Sequence, residues 1–506
     1  MRSKRYLGPL DAAADLNFRD NFVPPDDLEF LSSPESHIIY GPKGVGKTAL
    51  TRALTELQDY FFFASGTLDL NNLSLQRIYF ELEKAQKATH ENALYLAQAA
   101  WRNVILMQFL ELIRSRKEAR GALADKIDEF LHDEHFADRT APTRFLNQVE
   151  RFFHRIGEAA LADDSATKTR GNAESRRMAL DLFSPSRQYA ELLRTACEVV
   201  VASRNIVAIC VDGFDSIVEH YPESRKTIFA GLIGAVHDLA GDPVTKNALC
   251  VKAFLPKELT QEARAIHFDA DKFVYNTREL YWSDESLKEF IQRRLRPHLR
   301  SKKTDFESVW HDFMPSTIHN SVHNLDENTF TYILRHSQYR PRQLLFHVQA
   351  ILDNWDRKST SFRVDASSIP PTVAASNKEM AHLAANQLEY ARKGIITFVR
   401  SFGGSTSTIT YAECFNKIGR MFDTAASPLE TRRIFEELFD FGVLGVARKD
   451  NVSKGNSTAR IRFVYAGERV ISMHPADDDI VAICPMFHDY CGCMPSVYGA
   501  VIPSII

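Results

Sequence analysis

The chain has 506 residues, of which 44% are hydrophobic and 25% charged. That is a globular composition, long enough for roughly two to four domains and a sizeable core. A formal net charge of -3 argues against coating nucleic acid through bulk charge, and seven cysteines spread along the chain make no dense disulfide framework.

The opening MRSKRYLGPLDAAADLNFRD has no apolar core of signal-peptide length, and no uncharged apolar run of about 18 residues predicts a membrane span. A soluble protein in the reducing cytoplasm is the expectation. Pro24–Pro25 and Ser32–Pro34 break the first stretch, and the apolar run His37–Tyr40 then predicts a buried strand. A helix is expected over Lys47–Leu57 and a second strand over Tyr60–Ala64. From Ser74 to Val201 the spacing of apolar residues is mostly helical, as in Ala93–Ile113, with the small polar stretch Ala162–Ser175 as a loop. Strands return at Ile206–Val211 and Leu249–Leu255, with a helix around Arg225–Leu239 between them. That alternation predicts a parallel sheet with covering helices.

After Ser283 the pattern is helical to Trp355, and Ser359–Thr372, with Pro370 and Pro371, reads as a linker. Helices are expected at Glu389–Phe402 and Pro428–Phe441. A hairpin should follow, Gly442–Arg448 and Ala459–Tyr465 around the polar turn Asp450–Ser457. Helices followed by a two-stranded wing suggest a winged-helix domain.

Gly41, Pro42, Lys43, Gly44, Val45, Gly46, Lys47 and Thr48 fit the pattern G-x-x-x-x-G-K-[ST], with Ala49 next in the helix. Glycines let the backbone curl so that successive amides face phosphate oxygens, and the helix adds its positive N-terminal end. Lys47 would place a point charge between the β- and γ-phosphates, and the Thr48 hydroxyl would ligate Mg²⁺. Such a loop needs an acidic partner at the end of another strand. Asp212 follows the apolar run Ile206–Val211 and is the candidate to hold Mg²⁺ through its water shell.

The run Asp212, Gly213, Phe214, Asp215 resembles the acidic motif of STAND ATPases, especially the NACHT group, where a glutamate follows the second aspartate. Here Ser216 stands in that place, so the resemblance leaves Asp215 as the candidate water-activating base and implies slow turnover. Leu280–Ser283 looks like the start of a helical lid, and Val251–Leu255 lies where this class places a polar sensor residue. Tyr339–Leu344 resembles the sensor-two element of origin-recognition-like ATPases. By that likeness Arg342 opens a lid helix and reaches the γ-phosphate, with Arg340 second. Across residues 20–350 the resemblance is to bacterial STAND/AAA+-like P-loop ATPases, which are often found in antiphage defence.

The expected architecture is an α/β P-loop NTPase core with a parallel sheet and a helical insertion, an all-α lid, and a C-terminal winged-helix-like domain. Its boundaries fall at 1–262 (insertion at about 75–200), 263–370 and 371–506. The expected activity is that of an ATP- and Mg²⁺-dependent regulatory ATPase, acting through a protein effector or self-association and without a membrane. The alternative is an origin-recognition-type DNA binder using its C-terminal domain. Arg293, Arg294, Arg296, Arg300, Lys302 and Lys303 could follow a phosphate backbone or form a solvated helix face. His474, Cys484, His488, Cys491 and Cys493 carry zinc-type donors at spacings that fit no common zinc pattern.

Overall fold

The apolar runs bounded by turn residues become the strands of one sheet. The computed structural model describes residues 7–35, 37–57, 62–69, 90–119, 121–132, 187–214, 225–257, 276–299, 304–358, 363–465 and 474–503. They form two units. One comprises Asp27–Gly41 and Lys47–Leu280, the other Met1–Asp26, Pro42–Gly46 and Tyr281–Ile506.

In the first unit the strands are β1 (Ile38–Gly41), β2 (Ala64–Asp69), β3 (Val207–Asp212), β4 (Leu249–Pro256) and β5 (Thr277–Glu279). They run parallel in the order β2-β3-β4-β1-β5. Every residue of β3 and β4 is buried, as a parallel sheet covered on both faces requires. Ile38 of β1 and Val211 of β3 both pair with Ala253 of β4. Gly41 and Asp212 therefore end their strands on the same edge of the sheet, one strand apart. Asp69, at the end of β2, is paired in register with Asp212.

The covering helices are α1 (Lys47–Arg52), α2 (His90–Arg114), α3 (Ala122–His132), α4 (Arg187–Ala202) and α5 (Arg225–Gly241). Helices α2 and α5 cross closely because α5 is bare at the crossing: a Cβ on Gly231 would lie 2.6 Å from the Cβ of Ala97. The Trp101 indole of α2 donates to the Ile228 carbonyl at 3.0 Å. Phe214 wedges its ring 6.3 Å from Trp101 and 4.8 Å from Phe229, which anchors the turn just after Asp212.

Three expectations for this unit change. The second strand starts at Ala64, where it was expected to end, because pairing with β3 from Ala64↔Val207 onward decides it. The helix after the glycine loop is α-helical only to Arg52 and continues as a π turn over Ala53–Leu57. The described parts of the 75–200 stretch are helical, whereas Ala162–Ser175 lies outside the described residues.

In the second unit, α6 (Asp284–Leu295), α7 (Phe306–Phe313), α8 (Thr329–Arg335) and α9 (Pro341–Lys358) follow one another. The helices expected for the lid are present, but the all-α expectation misses an antiparallel hairpin, β6 (Thr317–Asn320) with β7 (Leu325–Asn328). Its strands are short and polar, so no alternating apolar pattern marks them. The arginines of α6 are largely used internally. Arg294 is buried, donates to the Asn21 carbonyl at 2.8 Å and lies 3.4 Å from the Asp15 carboxylate, while Arg293 donates to the Phe22 carbonyl at 2.7 Å. Those two bind the N-terminal segment to the lid instead of facing a phosphate backbone, and Arg300, Lys302 and Lys303 lie outside the described residues.

The expected linker at Pro370–Pro371 is the first turn of α10 (Ile369–Ala391), where proline needs no amide partner. The single helix expected over Glu389–Phe402 is broken at Gly394, φ +97°, which separates α10 from α11 (Ile395–Arg400). Next come β8 (Thr408–Thr410), α12 (Tyr411–Met421), α13 (Pro428–Asp440), β9 (Leu444–Ala447) and β10 (Thr458–Ile461). The chain then forms β11 (Ile480–Ile483), α14 (His488–Cys491) and β12 (Ala500–Pro503). The expected hairpin between β9 and β10 reduces to one bridge, Val446↔Arg462. The main partner of β9 is β11, within an antiparallel sheet ordered β8-β11-β9, and β10 pairs with β12 instead. A longer polar turn leaves both strands free to choose distant partners.

Candidate phosphate-binding site

Residues 41–48 bridge the end of β1 and the start of α1. Gly44 and Gly46 hold φ of +86° and +106°, left-handed values that only glycine adopts without strain. These two angles curl the chain between the end of β1 and the start of α1. Lys47 is buried and its ammonium donates to the Gly41 carbonyl at 2.8 Å, folding the side chain back along the loop. Thr48 is exposed in the first turn of α1. Asp212 is buried at the end of β3, followed by Gly213 at φ +94° and the anchored ring of Phe214. Asp215 and Ser216 lie outside the described residues.

Loop residues 42–46 belong to the same unit as the lid, which touches them at three points. The Trp282 indole donates to the Val45 carbonyl at 2.7 Å. The Arg342 amide donates to the Gly44 carbonyl at 3.3 Å, and Arg340 Nη1 reaches the Lys43 carbonyl at 3.5 Å. Arg342 is the second residue of α9, after Pro341, and is half-buried. Its stem lies against Gly44, where a Cβ would meet the Arg342 Cβ at 3.3 Å. Among the described residues its guanidinium has no hydrogen-bond or ion-pair partner. Sequence reasoning missed Trp282, which it placed at the lid's start without a role. The indole acts on a carbonyl 237 positions away, and no local pattern signals that.

The lid segment also faces the C-terminal elements. Gln338 and Tyr339 both take left-handed φ, +48° and +55°, unusual for residues with a side chain. Gln338 donates to the Gly442 carbonyl at 3.0 Å, and the Tyr339 ring lies 6.0 Å from that of Tyr465. Burial raises the Asp284 carboxyl, opposed by its hydrogen bond with the Tyr339 hydroxyl. Within five residues the chain passes from the C-terminal elements to the glycine loop.

No group of three or more metal-ligating side chains occurs among the described residues. Cys484 is buried against the Tyr465 hydroxyl at 3.2 Å, and His488 bonds the Ile483 carbonyl at 3.0 Å. Lys252, in the stretch matched to a sensor, is fully buried and donates to the Ser33 carbonyl at 2.7 Å.

Residues 285–369, within the stretch expected to form a lid, match the family of FunZ-associated C-terminal helical domains. No curated protein matches the chain. Among solved structures it is similar to the Walker-type ATPase paby2304 of Pyrococcus abyssi, at 11% identity over 84% of this chain and 89% of that one, with a TM-score of 0.36. It is also similar to the Aeropyrum pernix ORC2 protein in its ADPNP-ADP complexes, at 9% identity over 97% and 96%, TM-score 0.39. The ADP form of that protein gives 10% identity over 93% of both chains, TM-score 0.33. Likenesses so distant transfer no residue role to this chain.

Proposed function

We propose that the chain is an ATPase that binds ATP and Mg²⁺ at residues 41–49 and serves as a nucleotide-driven switch of the STAND/AAA+-like kind. The loop carries this reading: two left-handed glycines lead from the end of β1 into a helix N-terminus, and the Lys47 ammonium lies folded back onto the Gly41 carbonyl. Hard oxygen donors suit magnesium, and Thr48 and Asp212 are the residues to hold it. The ion would supply charge neutralisation across the phosphates. Lys47 would leave the Gly41 carbonyl for the β- and γ-phosphates. Arg342, whose stem lies on Gly44, would give the γ-phosphate a contact that ADP lacks. Asp215 is proposed as the base, with slow turnover because Ser216 replaces the usual glutamate.

The working parts are an ATPase portion (1–262), a lid (263–370) and a C-terminal portion (371–506), which passes the change to a partner protein or a second copy of the chain. The run Gln338–Arg342 supports that route, since it touches the loop at one end and Gly442 at the other. The C-terminal order of α11, β8, α12, α13, β9 and β11, with β8 paired to β11, supports the winged-helix reading. Its alternative use is DNA binding. However, Arg432 and Arg433 of α13 are already paired with Glu436, Glu430 and Glu437, which neutralises the helix a groove would receive.

The test is a pair of variants. Lys47→Ala should lose ATP affinity by about a hundredfold while keeping its melting temperature. Asp212→Asn should keep ATP binding and lose Mg²⁺-dependent turnover by about a hundredfold, because the metal acts on charge that builds during transfer. Wild-type binding and turnover by Lys47→Ala would remove the site. Binding of duplex DNA that weakens steeply with salt would move the reading to the alternative.

A further inference from the structure

All seven cysteines are described and none is joined in a disulfide, and they fall into two kinds. Cys197, Cys210, Cys250, Cys414 and Cys484 are buried, and burial pushes their thiols up, Cys197 and Cys210 to about 12. Cys491 and Cys493 are half-exposed, flanked by the exposed residues Gly492 and Met494. Their sulfurs lie 3.0 Å apart.

The backbone makes the pair. Helix α14 ends at Gly492, φ +70°, and the amides of Gly492 and Cys493 both donate to the His488 carbonyl, at 3.0 and 3.1 Å. That turn brings the side chains of positions 491 and 493 to one side, and a glycine between them leaves the backbone free to adjust. The turn is held from outside by Gly404, whose amide donates to the Gly492 carbonyl at 3.1 Å, and by Met494, whose amide donates to the Ser405 carbonyl at 2.8 Å.

We propose that Cys491 and Cys493 are a redox-active dithiol that peroxide-class oxidants convert to an intramolecular disulfide. A disulfide bond is about 2.05 Å long, so the sulfurs have only about 1 Å to travel. The hydrogen bond between the two thiols holds Cys491 below the usual thiol range and pushes Cys493 up, which makes Cys491 the attacking sulfur. Its thiolate attacks one peroxide oxygen. The O–O bond breaks, a sulfenic acid forms, and the departing oxygen takes a proton. Cys493 then attacks the sulfenic sulfur, its proton joins the leaving hydroxyl, and water departs. Two thiols give up two electrons and two protons, and one hydrogen peroxide becomes two waters.

The experiment treats the full-length native chain with hydrogen peroxide, blocks remaining thiols after denaturation, and maps the products by mass spectrometry. The expected result is a peptide carrying both cysteines that has lost two hydrogens, with the five buried cysteines still open to alkylation. In Cys493→Ser the reaction should stop at a sulfenic acid on Cys491, captured by dimedone. In Cys491→Ser oxidation at Cys493 should slow by about tenfold or more. The proposal is overturned if no bond joins the two sulfurs in the wild-type chain, or if Cys491 in the Cys493→Ser variant oxidises no faster than the buried thiols.

Discussion

The Trp282 indole hydrogen-bonds the Val45 carbonyl at 2.7 Å, so an aromatic residue just ahead of α6 restrains the middle of the glycine loop. Trp282 is itself buried, edge-on to Phe290 with ring centroids 5.9 Å apart. Trp282→Phe keeps most of the ring packing and removes the donor. We expect a stability loss of about 1 kcal/mol. ATP affinity should also fall, because a loop that is less preorganised must be ordered on binding. Thermal melts and nucleotide titrations check this, and no change in either would make the bond incidental.

Arg342 is the sharpest test of the proposed switch. Only a contact made with ATP and absent with ADP biases an open-to-closed equilibrium, because equal affinity for both states shifts nothing. Arg342→Ala should therefore reduce the preference for ATP over ADP by about tenfold to a hundredfold and leave ADP affinity nearly unchanged. Small-angle scattering with each nucleotide should show the ATP-dependent change blunted. If ATP discrimination and the scattering profile match wild type, Arg342 is a packing residue and Arg340 becomes the candidate.

Buried histidines make the second unit acid-sensitive. His347 of α9 bonds the Ser376 hydroxyl of α10 at 2.8 Å, and burial lowers both His347 and His488 to about 4. His336, whose ring bonds the Asn377 amide at 2.9 Å, is lowered well below the usual value for the same reason. A histidine depressed in the folded state takes up its proton more readily when unfolded. Its stabilising effect is complete above about 6.5 and is lost as pH falls toward about 4. The limiting loss is on the order of 3 kcal/mol for each of His347 and His488. Urea melts should show stability falling between pH 6.5 and 4.5. His347→Gln should flatten that slope by up to one proton, and an unchanged slope would count against the assignment.

How much of this was legible beforehand depends on how local the cause is. The glycine loop could be read because its chemistry needs particular residues at fixed spacing, and left-handed glycines and a following helix are properties of a few neighbouring residues. The strands of the parallel sheet could be read because burial on both faces demands unbroken apolar runs such as Val207–Val211. Asp212 stood out because a carboxylate closes one of those runs.

Other features depended on partners far away in the chain, and only the tertiary structure decided them. Val207–Val211 and Ile38–Tyr40 are similar apolar runs, yet which strand separates β1 from β3 is a matter of sheet order. Pro370 and Pro371 have the composition of a linker, and become a helix start because Val373, Ala381 and Ala385 find a core to enter. Arg293 and Arg294 look like surface charge until the N-terminal segment supplies carbonyls and Asp15. Trp282 reads as one more apolar residue, and its grip on Val45 exists only because folding brings residues 237 positions apart into contact. Local rules fix backbone shape within a few residues, whereas hydrogen bonds and packing between distant segments depend on which surfaces meet.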